Sequence, residues 1–184
     1  MKRFSVFLSI LVFGLGSVHA QKYFTREGKV SFHSDTPIEK IEANNSKATC
    51  VLNATDNHLE FAVLIKAFQF EKALMQEHFN ENYMESATFP KAIFKGEITN
   101  LEAGSLQKEG TYDVQVEGAL TIHGVTQTVS TPANITVKNG QIAAEAVFDV
   151  KPEDYAIKIP SVVRNNIAET VRITIKIDLQ PFNP

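Results

Sequence analysis

Residues 117–132 read EGALTIHGVTQTVSTP, two alternating apolar and polar runs that meet at His123-Gly124. Alternation on both sides of a short break is the pattern of a β-hairpin. Histidine, with Asn and Asp, is enriched among the few non-glycine residues that take positive φ, and a two-residue type I′ turn needs positive φ at both central positions. In that register Ile122 faces Val125, Leu120 faces Gln127 and Gly118 faces Val129. The imidazole is then a corner left at the rim of the sheet. A catalytic or ligand-touching histidine is the competing reading, and the corner is preferred.

The same period recurs along most of the chain. VSF near residue 31, HLEFAVLIK from His58, TYDVQVEGALTI from Thr111, TVSTPANITV from Thr128, QIAAEAVFDV from Gln141 and TVRITIKIDL from Thr170 all alternate. The last is the clearest: Val171, Ile173, Ile175, Ile177 and Leu179 share one face, and Arg172, Thr174, Lys176 and Asp178 share the other. Gly110, Gly118, Gly124 and Gly140 punctuate these runs, and KNGQ at 138–141 predicts a second tight hairpin. About eight short strands at this spacing predict an all-β fold, an antiparallel barrel or sandwich. Phe61, Phe94 and Phe148 fall on the inward parity of their strands, and ATCVLNA turns Cys50 inward beside Leu52.

One stretch breaks the period. From Phe68 to Ser86 the chain reads FQFEKALMQEHFNENYMES, with Met75, Phe79 and Tyr83 spaced i, i+4, i+8. This predicts a helix, or a pair of helical turns, with one apolar stripe near 70–84. It is either a plug packed on the barrel or a gate whose stripe lines a pocket.

Residues 1–20 read as a secretory signal peptide: Lys2 and Arg3, an apolar run from Phe4 to Val18, and small residues ending at Ala20. Residues 21–184 then form a single exported domain, periplasmic or secreted. The apolar run is too short for a membrane span, and no cysteine follows the cut to carry lipid, so no stable membrane anchor is expected. Cleavage removes two of the 18 bases and leaves 16 against 21 acids, a formal charge of −5. That balance argues against nucleic acid as a partner, because phosphate neutralisation needs a basic face. The lone Cys50 cannot make an internal disulfide.

Chemical constellations are weak. His33, His58, His78 and His123 lie on separate predicted elements without metal-ligand spacing, so no metal site is assigned. No serine sits in a G-x-S-x-G elbow, and Asp149, Glu153 and Asp154 read as a solvated loop. No catalytic residue is assigned and no enzyme is expected.

Three segments together resemble the YceI-like family. GALTIHGVTQTVSTPANI is similar to that family's central hairpin signature. HFNENYMESATFPKAIFKGEI resembles its helical stretch leading into an aromatic-proline pair and a phenylalanine-bearing strand, and FDVKPEDYAIKIP resembles its closing segment. They occur in the family's order over most of Phe79 to Leu179. One departure is Ala156, where the closing motif commonly has glycine after the tyrosine. The early segment from Thr25 to Cys50 also matches the family's opening poorly.

The resemblance implies an eight-stranded antiparallel lipocalin-like barrel whose apolar tunnel holds a polyisoprenoid or other long apolar chain, such as a quinone or polyprenyl lipid, without catalytic residues. The chain lacks the tryptophan of true lipocalins, so that likeness is architectural. The ligand-binding candidates are Phe61, Val63, Phe68, Met75, Phe79, Tyr83, Phe89, Phe94, Leu120, Ile122, Phe148 and Tyr155. The partner expected is an apolar long-chain lipid, with no other cofactor. A homodimer stays open, and so does the alternative of a structural or interaction module with a filled barrel, which the same alternation would satisfy.

Overall fold

In the computed structural model, which describes residues 22–182, alternation becomes a closed sheet. The expected signal peptide lies outside the described residues. Nine strands form: β1 (Lys22–Asp35), β2 (Lys40–Asn53), β3 (His58–Leu64), the two-residue β4 (Gln69–Phe70), β5 (Lys91–Ile98), β6 (Gly110–Ile122), β7 (Val125–Lys138), β8 (Gln141–Val150) and β9 (Val171–Pro181). Eight of them pair antiparallel in the order β1-β9-β8-β7-β6-β5-β3-β2, and β1 pairs with β2 to close the barrel. β4 adds only to the edge of β2, through Ala43 with Phe70 and Asn44 with Gln69.

The hairpin register follows the sequence reading. Ile122 pairs with Val125, Leu120 with Gln127 and Gly118 with Val129, and His123 and Gly124 take φ of 51° and 75°. Asn139 and Gly140, at 51° and 72°, make the second tight turn. Gly118 is not a break: it sits inside β6, opposite Gly96 of β5. A Cβ on Gly96 would lie 2.6 Å from Phe94 Cζ and one on Gly118 2.8 Å from it. The paired glycines therefore form a bare floor over which the Phe94 ring lies.

Outward side chains meet in cross-strand ion pairs at the surface, Glu60 with Lys95, Glu145 with Lys176 and Asp149 with Arg172. Exposed pairs of this kind contribute at most about 1 kcal/mol each. Inward side chains supply the core, and burial of each large apolar group is worth about 1.5–3 kcal/mol.

Strand direction sorts the connections into two ends. The tight turns 54–57 and 139–140 and the loop 99–109 lie at one end. There the interior is packed solid: Leu106, on the 3₁₀ turn Ser105–Gln107, is fully buried with Ile142 and Leu179. The loop carrying Leu106 is fixed by the Tyr112 hydroxyl, 3.0 Å from the carbonyls of both Ser105 and Lys108, and by Asn57 Nδ2 donating to Leu101 O at 2.8 Å. The connections 36–39, 65–90, 123–124 and 151–170 gather at the opposite end.

The break in periodicity is helical as expected, but short. α1 (Ala73–His78) runs into a π-turn at Phe79–Tyr83, where Met84 N donates to Phe79 O at 2.9 Å. Phe79 anchors the segment in a cluster with Phe32, Phe68 and Phe70, at ring-centroid separations of 5.0 to 5.7 Å.

Candidate functional site

The inward parity of eight strands meets a closed floor at one end and long connections at the other, and the space between them is a cavity of about 570 Å³. That volume falls in the usual range for small-molecule sites, about 300–1,000 Å³. β9 contributes Val171, Ile173, Ile175, Ile177 and Leu179, the whole apolar face read from its alternation. Phe61, Phe94 and Phe148 project from β3, β5 and β8, with Val63, Leu120 and Ile122 beside them. Phe68, Met75, Phe79 and Tyr83 cover the loop end. Ten of the twelve candidates thus share one wall.

The other two lie elsewhere. Phe89 and Tyr155 are not among the cavity-lining residues; the Phe89 ring and the Tyr155 backbone carbonyl meet His123. The Phe89 ring stands edge-on to the imidazole with centroids 4.5 Å apart, and it lies so close over Gly124 that a Cβ there would sit 2.6 Å from Phe89 Cε1. Tyr155 is buried at the end of the 3₁₀ turn Pro152–Tyr155, and its carbonyl oxygen is 3.3 Å from His123 Nδ1. A carbonyl can only accept, so this nitrogen carries the proton. The imidazole is therefore not left at the rim as the sequence suggested: its side chain is only 11% exposed.

Nε2 of the same ring is buried without a hydrogen-bond partner, 3.9 Å from a Glu85 carboxylate oxygen. Glu85, His123 and Ala156 all have positive φ, at 43°, 51° and 56°. The left-handed backbone at Ala156 gives the physical reason a glycine suits that position. The corner joins three elements from distant parts of the chain.

Few polar side chains reach the cavity. Ser34, Glu39, Lys72, His78 and Asn166 do so at the loop end. There Glu39 Oε1 lies 3.6 Å from Lys72 Nζ, and Asn166 Nδ2 donates to Glu39 Oε2 at 3.1 Å. One carboxylate thus ties together the β1–β2 turn, the approach to α1 and the 151–170 connection. Cys50 is on the wall beside Leu52, and burial pushes its thiol up to about 12. Burial also raises the phenols of Tyr23, Tyr83 and Tyr155, with the Asp154 charge adding at Tyr155. Among the described residues no three His, Cys, Asp or Glu side chains converge in a metal-binding group, and no helix is long and apolar enough to cross a membrane.

Two parts of the wall escaped the sequence reading. Ile157, Ile159, Val163 and Ile167 of the 151–170 connection line the cavity, although that stretch resembles a loop. Their spacing is an apolar signal hidden by Pro160 and by the absence of a continuous period. Phe32 and Phe70 also reach the cavity and complete the aromatic cluster.

The sequence model of the YceI-like domain matches residues 17–179. Solved structures of similar fold include a polyisoprenoid binding domain from Saccharophagus degradans implicated in plant cell wall breakdown, at a TM-score of 0.77 and 14% identity over 89% of this chain and 99% of that one. BcnA of Burkholderia cenocepacia follows at 0.70 and 17%, covering 83% of this chain and 95% of that one. The YCEI protein of Campylobacter jejuni superposes at 0.54 and 13%, with 97% of each chain covered. No curated protein sequence matches the chain.

Proposed function

The chain belongs to the YceI-like domain family, and on that premise we propose that it is an exported carrier that holds one polyisoprenoid or similar long apolar chain inside its barrel. The observation that carries this reading is the shape and chemistry of the cavity: closed by Leu106 at one end, walled mainly by aromatic and branched aliphatic side chains, with Thr131 and Glu145 as polar residues along the strands and the other charged and amide groups gathered toward the loops. Such a space takes a tail first and leaves a head at the mouth. Each CH₂ moved from water to an apolar wall gains about 0.8 kcal/mol, so a polyprenyl tail has a large drive to enter. The methyl branches of an isoprenoid suit a wall of Ile, Val and Phe better than they suit a smooth cylinder. The likeness to a polyisoprenoid binding domain supports the same choice of ligand.

The role is carriage or storage rather than catalysis, with Tyr83, Lys72 and Asn166 placed to meet a quinone or other polar headgroup. Export rests on the leader-like residues 1–20, with the mature chain beginning at Gln21. Delipidated protein titrated with a polyprenol and followed by native mass spectrometry should form a saturable 1:1 complex. A chain that never loads would instead favour the filled-barrel interaction module. Expression of the full chain in a bacterium, with the N-terminal residue read from the periplasmic fraction, tests export.

A further inference from the structure

Three of the large apolar side chains most exposed to water lie at the loop end of the barrel: Ile38 at 65%, Leu74 at 61% and Val162 at 87%. They belong to three separate segments, the β1–β2 turn, α1 and the 3₁₀ turn Ser161–Asn166. Glu39 links those segments directly. Its carboxylate meets Lys72, two residues before Leu74, and Asn166, four residues after Val162, while Ile38 is its own neighbour in sequence. Leu74 both lines the cavity and faces solvent, and Val163, next to Val162, also lines it. The exposed apolar tips are thus continuous with the interior wall and surround its opening.

The charge around them is balanced. Segments 36–39, 71–78 and 157–167 carry Glu39, Glu71 and Glu77 against Lys72, Lys158 and Arg164, while the whole chain has 21 acids and 18 bases. An acidic protein meets least electrostatic resistance from a membrane at a neutral face.

We propose that the rim formed by Ile38, Leu74 and Val162 inserts into the surface of a lipid bilayer and brings the cavity mouth against it, so that the apolar ligand passes between membrane and barrel without crossing water. A long apolar chain has almost no solubility outside a membrane or a protein, so loading through bulk solvent would be slow. Three apolar tips held apart by one carboxylate hub dock the mouth without anchoring the protein, because their combined buried area is far below that of a spanning helix.

The inference rests on the carrier reading, and the test keeps the two separable by assaying bound lipid before docking is measured. The chain contains no tryptophan, so a single introduced indole reports its own environment. Leu74→Trp and Val162→Trp, with Val147→Trp on the outer wall as control, are mixed with neutral phosphatidylcholine vesicles containing brominated acyl chains. Emission from positions 74 and 162 should shift blue and be quenched, while position 147 should not respond. Leu74→Asp and Val162→Asp should each weaken vesicle partition at least ~10-fold, and adding anionic lipid should change it less than about 3-fold. Failure of both rim positions to quench, or equal quenching at position 147, overturns the proposal. So does a blue shift without vesicles that tracks a dimeric mass, which would mean that a second copy covers the rim.

Discussion

His123 donates from Nδ1 to the carbonyl oxygen of Tyr155 at 3.3 Å, and this bond joins the β6–β7 turn to the 151–170 connection. Phe89, packed on the same ring and over Gly124, brings in the connection before β5. The three segments that carry the family likeness therefore meet at one corner. The corner holds the loop end of the barrel together beside the cavity, while Phe79, Phe94, Leu120 and Phe148 of the same segments line it.

His123→Asn preserves a residue that accepts positive φ but removes the ring from Phe89 and its bond to Tyr155. The expected result is a folded protein destabilised by about 1–2 kcal/mol, from one hydrogen bond and one aromatic contact. Val at the same position should be worse, because a β-branched residue with positive φ adds backbone strain. Urea unfolding of the two variants gives both values. A His123→Asn protein as stable as the parent would mean that the ring contributes nothing beyond the turn.

Floor and wall should respond differently to truncation. Leu106→Ala opens a hole in a fully buried plug and is expected to cost about 2–5 kcal/mol. Phe94→Ala removes a ring that already faces the cavity, so it should cost less and shift preference toward bulkier or longer chains. Thermal unfolding paired with a binding series of graded prenyl length separates the two effects.

The buried Cys50 sets a signature in alkaline solution. Its thiol is pushed from 9.0 to about 12 by burial, so below pH 9 it is protonated in folded and unfolded chains alike. Between pH 9 and 12 the unfolded chain loses that proton and the native chain keeps it. Stability should therefore fall as pH rises through this window. Tyr23, Tyr83 and Tyr155, raised from 10.0, add to the loss in the same direction. Cys50→Ala should reduce the steepness between pH 9 and 10, where the tyrosines contribute least; an unchanged slope would mean that the thiol is not buried in solution.

The segment from Phe68 to Met84 is expected to act as the gate. It is held by the aromatic cluster and the two-residue β4, whereas β9 is paired along its length with β8 and along part of it with β1. Amide exchange should be faster in α1 and the π-turn than in β9, and should slow there when lipid is bound. Equal protection in empty and loaded protein would make the segment a fixed cover.

Much of the barrel was legible because a closed sheet with one wet face writes itself as a period of two. The β9 face and the His123-Gly124 turn are read from parity and φ preference alone. Phe94 was legible by parity too, but the paired glycines beneath it were not, since register between β5 and β6 is a tertiary fact. Leu106 escaped because Leu101 and Leu106, the two leucines of NLEAGSLQKEG, stand five residues apart, a spacing that fits neither a strand face nor a helix face. Phe89 and Tyr155 were placed on the wall because aromatic residues beside a barrel mouth resemble lining; only the folded chain shows that the Phe89 ring and the Tyr155 backbone carbonyl meet His123. Nothing local distinguishes an aromatic ring that faces a cavity from one that closes a corner.

If the barrel is a carrier, its cavity is occupied by a long apolar chain in the purified protein. Mass spectrometry of an organic extract from gently purified protein tests it most directly. A single class of prenyl or quinone-type lipid near one molecule per protein is the expected result. Extracts holding only substoichiometric membrane phospholipid, from protein that also fails to take up added polyprenol, would contradict it.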